Sequence, residues 1–225
     1  MKIAIIIPAR KGSKSIKNKN LRLLNKIPLA EHTFKSIKKI NIPKFILSND
    51  EKVKKIAKKY GIIDDYIRPN SVSDDKTSLL ETLQDFILWM KDKKKYKFDA
   101  FIILQVTSPL RKKEDIVRAI KFYRKNNFKS LFSVSESQEH PYETINLTKN
   151  GKWNYNLSNA KKFYRRQDFD INSYFINGAI YMINVEFLKR NNKLISKKHG
   201  IFIMKKINSI DIDDVEDLTM ASKLK

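Results

Sequence analysis

The stretch Ile3-Ala4-Ile5-Ile6-Ile7-Pro8-Ala9-Arg10-Lys11-Gly12-Ser13-Lys14-Ser15-Ile16-Lys17-Asn18-Lys19-Asn20 decides the fold. Residues 3–7 are apolar without a break, which describes a central strand covered on both faces rather than a half-exposed one. Beyond Pro8 the chain turns polar and cationic at once. In an open α/β sheet, ligands bind in the crevice outside the carboxyl ends of the strands. A loop there that holds Gly12, Ser13, Ser15, Arg10 and several lysines offers backbone N–H groups, hydroxyls and cations together, the groups a triphosphate needs. The spacing is neither GxxxxGK[ST] nor GxGxxG. A solvated basic loop is the plainer alternative.

Outward from this stretch, strand and helix alternate. Residues 29–40 read as a helix, 45–47 as a second strand, and 51–60 as a helix with Val53, Ile56, Ala57 and Tyr60 on one side. Gly61 stops that helix. A short strand near Tyr66 and Ile67 precedes a loop rich in Asn, Ser and Asp. Residues 78–93 form the longest helix, with Leu79, Leu80, Leu83, Phe86, Ile87 and Met90 in a broad apolar stripe. Residues 98–104 are another buried strand and 113–125 another helix. This alternation predicts an α/β domain with a mainly parallel sheet and crossover helices.

The pattern changes after Ser130. Residues 130–135 read as a strand, but 142–157 alternate apolar and polar residues around Asn150-Gly151, a strong hairpin signal. A hairpin inserted into such a domain has no layer of its own to pack on, so it is expected to meet the parent sheet or, preferentially, a second subunit in a homodimer. Residues 178–183 and 201–207 return as strands and 215–224 close the chain as a helix. The expectation is one domain, residues 1–225, with the hairpin insertion at about 138–168.

Composition narrows the function classes. Of 225 residues, 41% are hydrophobic and 32% charged, which excludes a disordered chain. No apolar run approaches the ~20 residues of a membrane span, and the N-terminus carries no leader pattern, so a cytoplasmic protein with no membrane partner is expected. The absence of cysteine excludes disulfides, thiolate metal sites and a cysteine nucleophile. The net charge of +23 admits a nucleic-acid binder. The lysines, however, are spread along the chain without the aromatic interleaving of a single-strand binder. No nucleic-acid partner is therefore expected, and the surplus charge would help gather a small polyanion.

The order of residues carries a more specific message. Arg10-x-Gly12-Ser13-Lys14 followed by Lys19-Asn20 resembles the N-terminal signature of the CMP-sialic acid synthetases (acylneuraminate cytidylyltransferases) and their relatives that activate legionaminate and pseudaminate. Three further segments resemble the same family in the same order: Leu104-Gln105-Val106-Thr107-Ser108-Pro109-Leu110-Arg111; Arg165-Arg166-Gln167-Asp168 with Asn177-Gly178-Ala179-Ile180-Tyr181; and Ser209-Ile210-Asp211-Ile212-Asp213. The resemblance spans nearly the whole chain. It implies a Rossmann-like nucleotide-diphospho-sugar transferase fold with an inserted dimerisation hairpin.

It also implies roles. Arg10 and Lys19 would hold the triphosphate with Gly12 and Ser13, and Asn20 the ribose or base. Arg68 would sit beside cytosine, with Thr77 and Ser78 sharing that pocket. Ser78 also reads as a helix N-cap, with Glu81 completing a capping box. Gln105, Thr107, Ser108 and Arg111 would meet the sugar acid, as would Arg166, Gln167, Asn177 and Tyr181, although Arg111 could face solvent and Tyr181 could be core. Asp211 and Asp213, at i and i+2 on an extended stretch, would seat Mg²⁺ or Mn²⁺. Asp213 also reads as an N-cap paired with Glu216. None of His32, His140 and His199 falls in a matched motif.

The implied reaction joins CTP to a nonulosonic acid, giving a CMP-sugar and pyrophosphate, with Arg10, Lys19 and Asp211 catalytic. Two departures bear on the acceptor. Ser15 stands where the family usually has Gly. Phe175 stands where sialate enzymes carry Arg, which puts N-acetylneuraminate itself in question and keeps legionaminate open. An enzyme making CMP-octulosonate, or another sugar nucleotidyltransferase, is the alternative within enzymes. A basic non-catalytic nucleic-acid-binding protein is the alternative outside them.

Overall fold

The apolar run at the N-terminus becomes strand β1 (Ile3–Pro8), buried on both faces. The computed structural model describes all residues except 14, 94–95, 158–164 and 225, and the side chain of Arg166. After β1, a short ladder of β2 (Leu23–Leu24) and β3 (Ile27–Pro28) turns at Asn25 and Lys26, both with positive φ. Without an Asn-Gly pair this turn left no signal in the sequence. Helix α1 (Leu29–Ile37), strand β4 (Lys44–Leu47) and helix α2 (Glu51–Lys58) follow, with Asp50 capping α2 by accepting from the amides of Lys52 and Val53. The short strand expected near Tyr66 is a single bridge between Ser48 and Ile67. Next come α3 (Leu79–Lys93), β5 (Ala100–Ile103), α4 (Lys113–Asn126) and β6 (Ser130–Glu136).

The expected hairpin is β7 (Ile145–Leu147) and β8 (Trp153–Tyr155), a separate antiparallel pair with Gly151 in its turn at φ 74°. The chain then enters β9 (Tyr174–Asn184), α5 (Val185–Asn191), β10 (His199–Ile203) and α6 (Val215–Lys223). Strand β9 is longer than its apolar core suggested, and α5 was not foreseen. Helix α6 is capped by Asp214 with Asp217, not by Asp213 with Glu216, so the cap does not use the Asp213 carboxylate.

The six-stranded sheet runs β10-β6-β9-β5-β1-β4. Five strands point one way, and β9 is antiparallel to both β5 and β6. The reversal follows from the connection. The chain leaves β6 at its carboxyl end, makes the hairpin excursion, and re-enters with Tyr174 opposite Glu136, at the same rim. The insertion therefore leaves and rejoins the sheet at the carboxyl ends of the parallel strands, the side where ligands bind.

Strand β9 is also bulged. Between the pairs Phe132–Tyr181 and Val134–Ile176, Ser133 alone faces Asn177 through Ile180. Gly178 takes φ 67° there, which a side chain would strain. The bulge is filled by hydrogen bonds. Ser133 Oγ donates to Asn177 Oδ1 at 2.6 Å and accepts from the Ile180 amide at 2.8 Å.

Two apolar layers cover the sheet. Ile3, Ile5 and Ile7 pack with Phe34, Ile37, Val53, Ala57, Ile116 and Tyr123 from α1, α2 and α4. On the other face Ala4, Ile6, Phe45 and Leu47 pack with Leu83, Phe86, Met90 and Leu188 from α3 and α5. A third cluster lies off the sheet: Ile16 and Leu24 from the first loop, Leu29 of α1, Ile212, and Ala221 of α6. It fastens the loop after β1 to the segment before α6. Truncating fully buried Ile212 to Ala should cost about 2–5 kcal/mol, read as a lower urea midpoint; an unchanged midpoint would mean this cluster carries no stability.

Candidate active site

The site is built from three loops at the sheet's carboxyl rim. The first follows β1. Ala9 stays tied to the neighbouring strand end, its amide donating to Leu47 O at 3.0 Å, and Lys11 N donates to Asn49 Oδ1 at 2.7 Å. Gly12 takes φ 89°, a turn that a side chain would strain. Arg10 Nη1 donates to Gly12 O at 3.2 Å and ion-pairs with Asp75 at 2.5 Å. Asn20 donates its amide to Arg10 O at 2.9 Å, so this side chain holds the loop's shape.

An open cleft with a cavity volume of about 240 Å³ lies above these residues. Arg10, Gly12, Ser13, Lys19 and Asn20 line one wall, Arg68, Thr77, Leu79 and Thr82 a second, and Gln105, Val106 and Thr107 the third. Arg68 is buried, with Nε donating to Val72 O at 2.7 Å and Nη2 to Thr82 Oγ1 at 2.9 Å. Burial holds its pKa below the ordinary value, and the neighbouring Arg10 charge adds to that. Thr77 donates to Asp74 while still lining the cleft. Ser78 is in the capping box with Glu81 and lies outside the cleft lining, which answers that choice in favour of the cap.

The acidic pair meets the first loop directly. Lys19 Nζ donates to Ile212 O at 3.0 Å and pairs with Asp213 Oδ1 at 3.2 Å. The ammonium is 11% exposed and the Asp213 carboxylate 77%. Asp211 lies deeper. Burial raises its pKa, the Thr107 hydroxyl opposes that rise, and repulsion from Asp213 adds to it. Its Oδ1 is buried without a hydrogen-bond partner. The β9 bulge passes close by, since a Cβ on Gly178 would lie 3.5 Å from Gln105 Oε1 and 3.6 Å from Asp211 Oδ2. Tyr181 is partly buried nearby, its pKa raised by burial and by the Asp211 charge.

Three other candidates sit elsewhere than expected. Arg111 neither faces solvent nor lines the cleft: it is 3% exposed. Its guanidinium donates to Gln105 O at 3.1 Å, Ala179 O at 2.6 Å and Thr33 Oγ1 at 3.0 Å, clipping the β5 loop, the β9 bulge and α1 together. Burial pulls its pKa down to about 9, against the favourable charges of Asp115 and Asp211. Asn177 is equally interior, bonded to Ser133, Ser209 and Ala179 within the bulge. Ser108 is buried with its hydroxyl unpartnered. Gln167 is exposed, and the Arg166 side chain lies outside the described part of the structure.

Sequence reasoning did not single out Asp75, Leu79 and Thr82. The acidic dipeptide Asp74-Asp75 in an otherwise polar loop was the available signal. Among the described residues no group of three His, Cys, Asp or Glu side chains forms a metal cluster.

The cleft at the carboxyl rim, lined by Arg10, Lys19 and Arg68 with Asp213 paired to Lys19, has the cationic lining of a nucleotidyltransferase. The cytidylyltransferase family model matches residues 4–225, so the chain belongs to the cytidylyltransferase family. It is 30% identical over 232 residues to the CMP-N,N'-diacetyllegionaminic acid synthase of Legionella pneumophila, covering 100% of this chain and 96% of that one. It is 32% identical over 223 residues to the N-acylneuraminate cytidylyltransferase of Streptococcus agalactiae, covering 96% of this chain but 52% of the relative, about half its length. Among solved structures, a CMP-2-keto-3-deoxy-manno-octonic acid synthetase in complex with CTP matches with a TM-score of 0.71 at 15% identity, over 100% of this chain and 98% of that one. That likeness shows the shared fold.

Replacing Arg111 by Met would leave two carbonyls and a hydroxyl short of a donor. The expected loss is about 2–4 kcal/mol in urea unfolding; a loss below about 0.5 kcal/mol, the scale of a surface change, would contradict the clip.

Proposed function

We propose that the protein joins CTP to a nonulosonic acid of the sialic or legionaminic type, forming a CMP-sugar and pyrophosphate. The observation that carries this reading is the contact between Lys19 and the Ile212–Asp213 segment. Phosphate-binding cations and an acidic pair from opposite ends of the chain share one mouth. The family supplies the nucleotide, and relatives named for sialate and legionaminate supply the acceptor class.

In this reading the triphosphate lies along Arg10, Lys19 and the backbone of Gly12 and Ser13. The cytidine reaches toward Arg68, Thr77 and Thr82. The sugar enters between Gln105, Thr107 and Tyr181 and the insertion. The acceptor's anomeric hydroxyl attacks the α-phosphorus; the new O–P bond forms as the bond to the β-phosphate oxygen breaks. The hydroxyl proton passes to solvent, and Arg10 and Lys19 stabilise the charge gathering on pyrophosphate. The nucleophile belongs to the substrate, so the chain needs none.

The residues present fit a divalent cation. Asp211 Oδ1 is buried and unpartnered, and its pKa is raised by burial and by Asp213, a strain that a cation would relieve. Both side chains offer hard oxygen donors, as Mg²⁺ or Mn²⁺ prefers. The ion, when bound, would neutralise phosphate charge and lower the hydroxyl's pKa. Asp213 is paired with Lys19, so on binding it would exchange an ammonium for the metal or share both.

No described helix is long and apolar enough to cross a membrane. A cytoplasmic location, where CTP is made, belongs to the same proposal. So does a homodimer through the hairpin. Leu147 and Trp153, cross-strand neighbours on it, are 70% and 58% exposed, and Phe175 and Ile176 extend apolar surface onto β9. The exposed Leu147–Trp153 pair is the surface on which this part of the proposal stands.

Asp211→Asn should lower pyrophosphate release by roughly 10²-fold or more, followed with CTP, ATP, GTP and UTP against a panel of nonulosonic and octulosonic acids. Near-normal turnover would remove Asp211 from the reaction, and preference for another nucleotide or for the octulosonate would overturn the proposal. Leu147→Asp with Trp153→Asp should convert a dimer to a monomer by light scattering; an unaltered mass would place the interface elsewhere.

A further inference from the structure

We propose that Asp75 is a built-in competitor for the phosphates, a carboxylate that occupies Arg10 until a polyphosphate displaces it and that drives pyrophosphate off afterwards. The inference rests on the nucleotide reading of the cleft. Arg10 Nη1, on a side chain that lines the cleft, lies 2.5 Å from Asp75 Oδ1, and both side chains are about one-third exposed. The carboxylate thus takes a position on the guanidinium that a phosphate oxygen would need.

The pairing is presented by a firm loop. Ser73 N donates to Asn70 O at 3.0 Å, and Asp74 Oδ1 accepts from the amides of Lys76 and Thr77 at 3.0 and 2.7 Å. Arg68 fastens the loop's first turn through Val72 O. Asp75 is therefore held near Arg10 by its own backbone. Thr77, two residues on, lines the same cleft, so the loop forms part of its wall.

Electrostatics sets the direction of the effect. Arg10 and Arg68 are close enough for the Arg10 charge to depress the Arg68 pKa. An empty cleft leaves these cations repelling, and Asp75 relieves the repulsion. A triphosphate relieves it better, with more charge and several oxygens, but only after breaking the Arg10–Asp75 pair. The penalty falls on ligands that use Arg10 and spares those that do not. Cytidine monophosphate, which lacks the β- and γ-phosphates, is spared. Pyrophosphate, the leaving group, bears it in full, which speeds its release. Removing the carboxylate leaves Arg10 oriented, because the bond to Gly12 O remains.

The test is calorimetric titration of CTP, pyrophosphate and CMP into the wild-type protein, Asp75→Asn and Asp75→Glu, with Asp92→Asn on the exposed side of α3 as a control for net charge. Asp75→Asn should tighten CTP and pyrophosphate by about 2- to 5-fold, the scale of a partly exposed ion pair, and leave CMP unchanged. Asp75→Glu should restore wild-type values. Equal affinities in wild type and Asp75→Asn would overturn the competitor role while leaving the nucleotide site intact. Weaker binding of all three ligands would mean that Asp75 merely supports the loop, and equal tightening in Asp92→Asn would reduce the effect to overall charge. CTP binding to none of the proteins would overturn the nucleotide reading, and this inference with it.

Discussion

The site depends on one residue with no chemistry of its own. Ile212 is fully buried among Ile16, Leu24, Leu29 and Ala221, while its amide donates to Thr107 O at 2.8 Å and its carbonyl accepts from Lys19. That apolar anchor holds a segment near the C-terminus against Lys19 of the first loop and Thr107 of the loop after β5, both of which line the cleft. Burial sets where the backbone runs, and the two polar bonds set its register. Asp213 is thereby set against Lys19, with Asp211 buried on the other side of Ile212. Without the anchor, two acids almost two hundred residues from Lys19 in sequence would have no reason to face it.

The reversed strand completes the enclosure. A chain that returned to the sheet through a helix would have made β9 parallel and carried the insertion away from the ligand rim. Re-entry at the rim makes β9 antiparallel and keeps both ends of the insertion at that rim. The bulge at Asn177–Gly178 then lets β9 pass close to Gln105 and Asp211, because a glycine at positive φ permits a bend there that a side chain would strain. Arg111 holds the same bend from behind. Its buried charge is tolerable because both terminal nitrogens find acceptors, though Nε is buried without one, and two carboxylates lie near enough to favour the charge.

The charges at the mouth are balanced internally. Arg10 meets Asp75 and Lys19 meets Asp213, so a chain of net charge +23 keeps its two site cations paired. The unspecific attraction of a basic surface gathers anions from a distance.

By itself, the sequence determined the alternating strands and helices, the central position of β1, the hairpin at Asn150-Gly151, and the loops with unusual chemistry, because periodicity and turn residues are local signals. It did not foretell the Asn25-Lys26 turn, α5 or the direction of β9, which depend on where the chain re-enters the sheet. The site was legible as four motifs, but their division of labour was not. Only the tertiary structure decided that Arg111 and Asn177 work inside the protein while Lys19 and Asp213 meet across the cleft. It also brought Asp75 to Arg10. The physical reason is that a polar side chain's task is set by what surrounds it. An arginine with three protein acceptors is a clip, and the same residue at an open wall faces whatever enters the cleft.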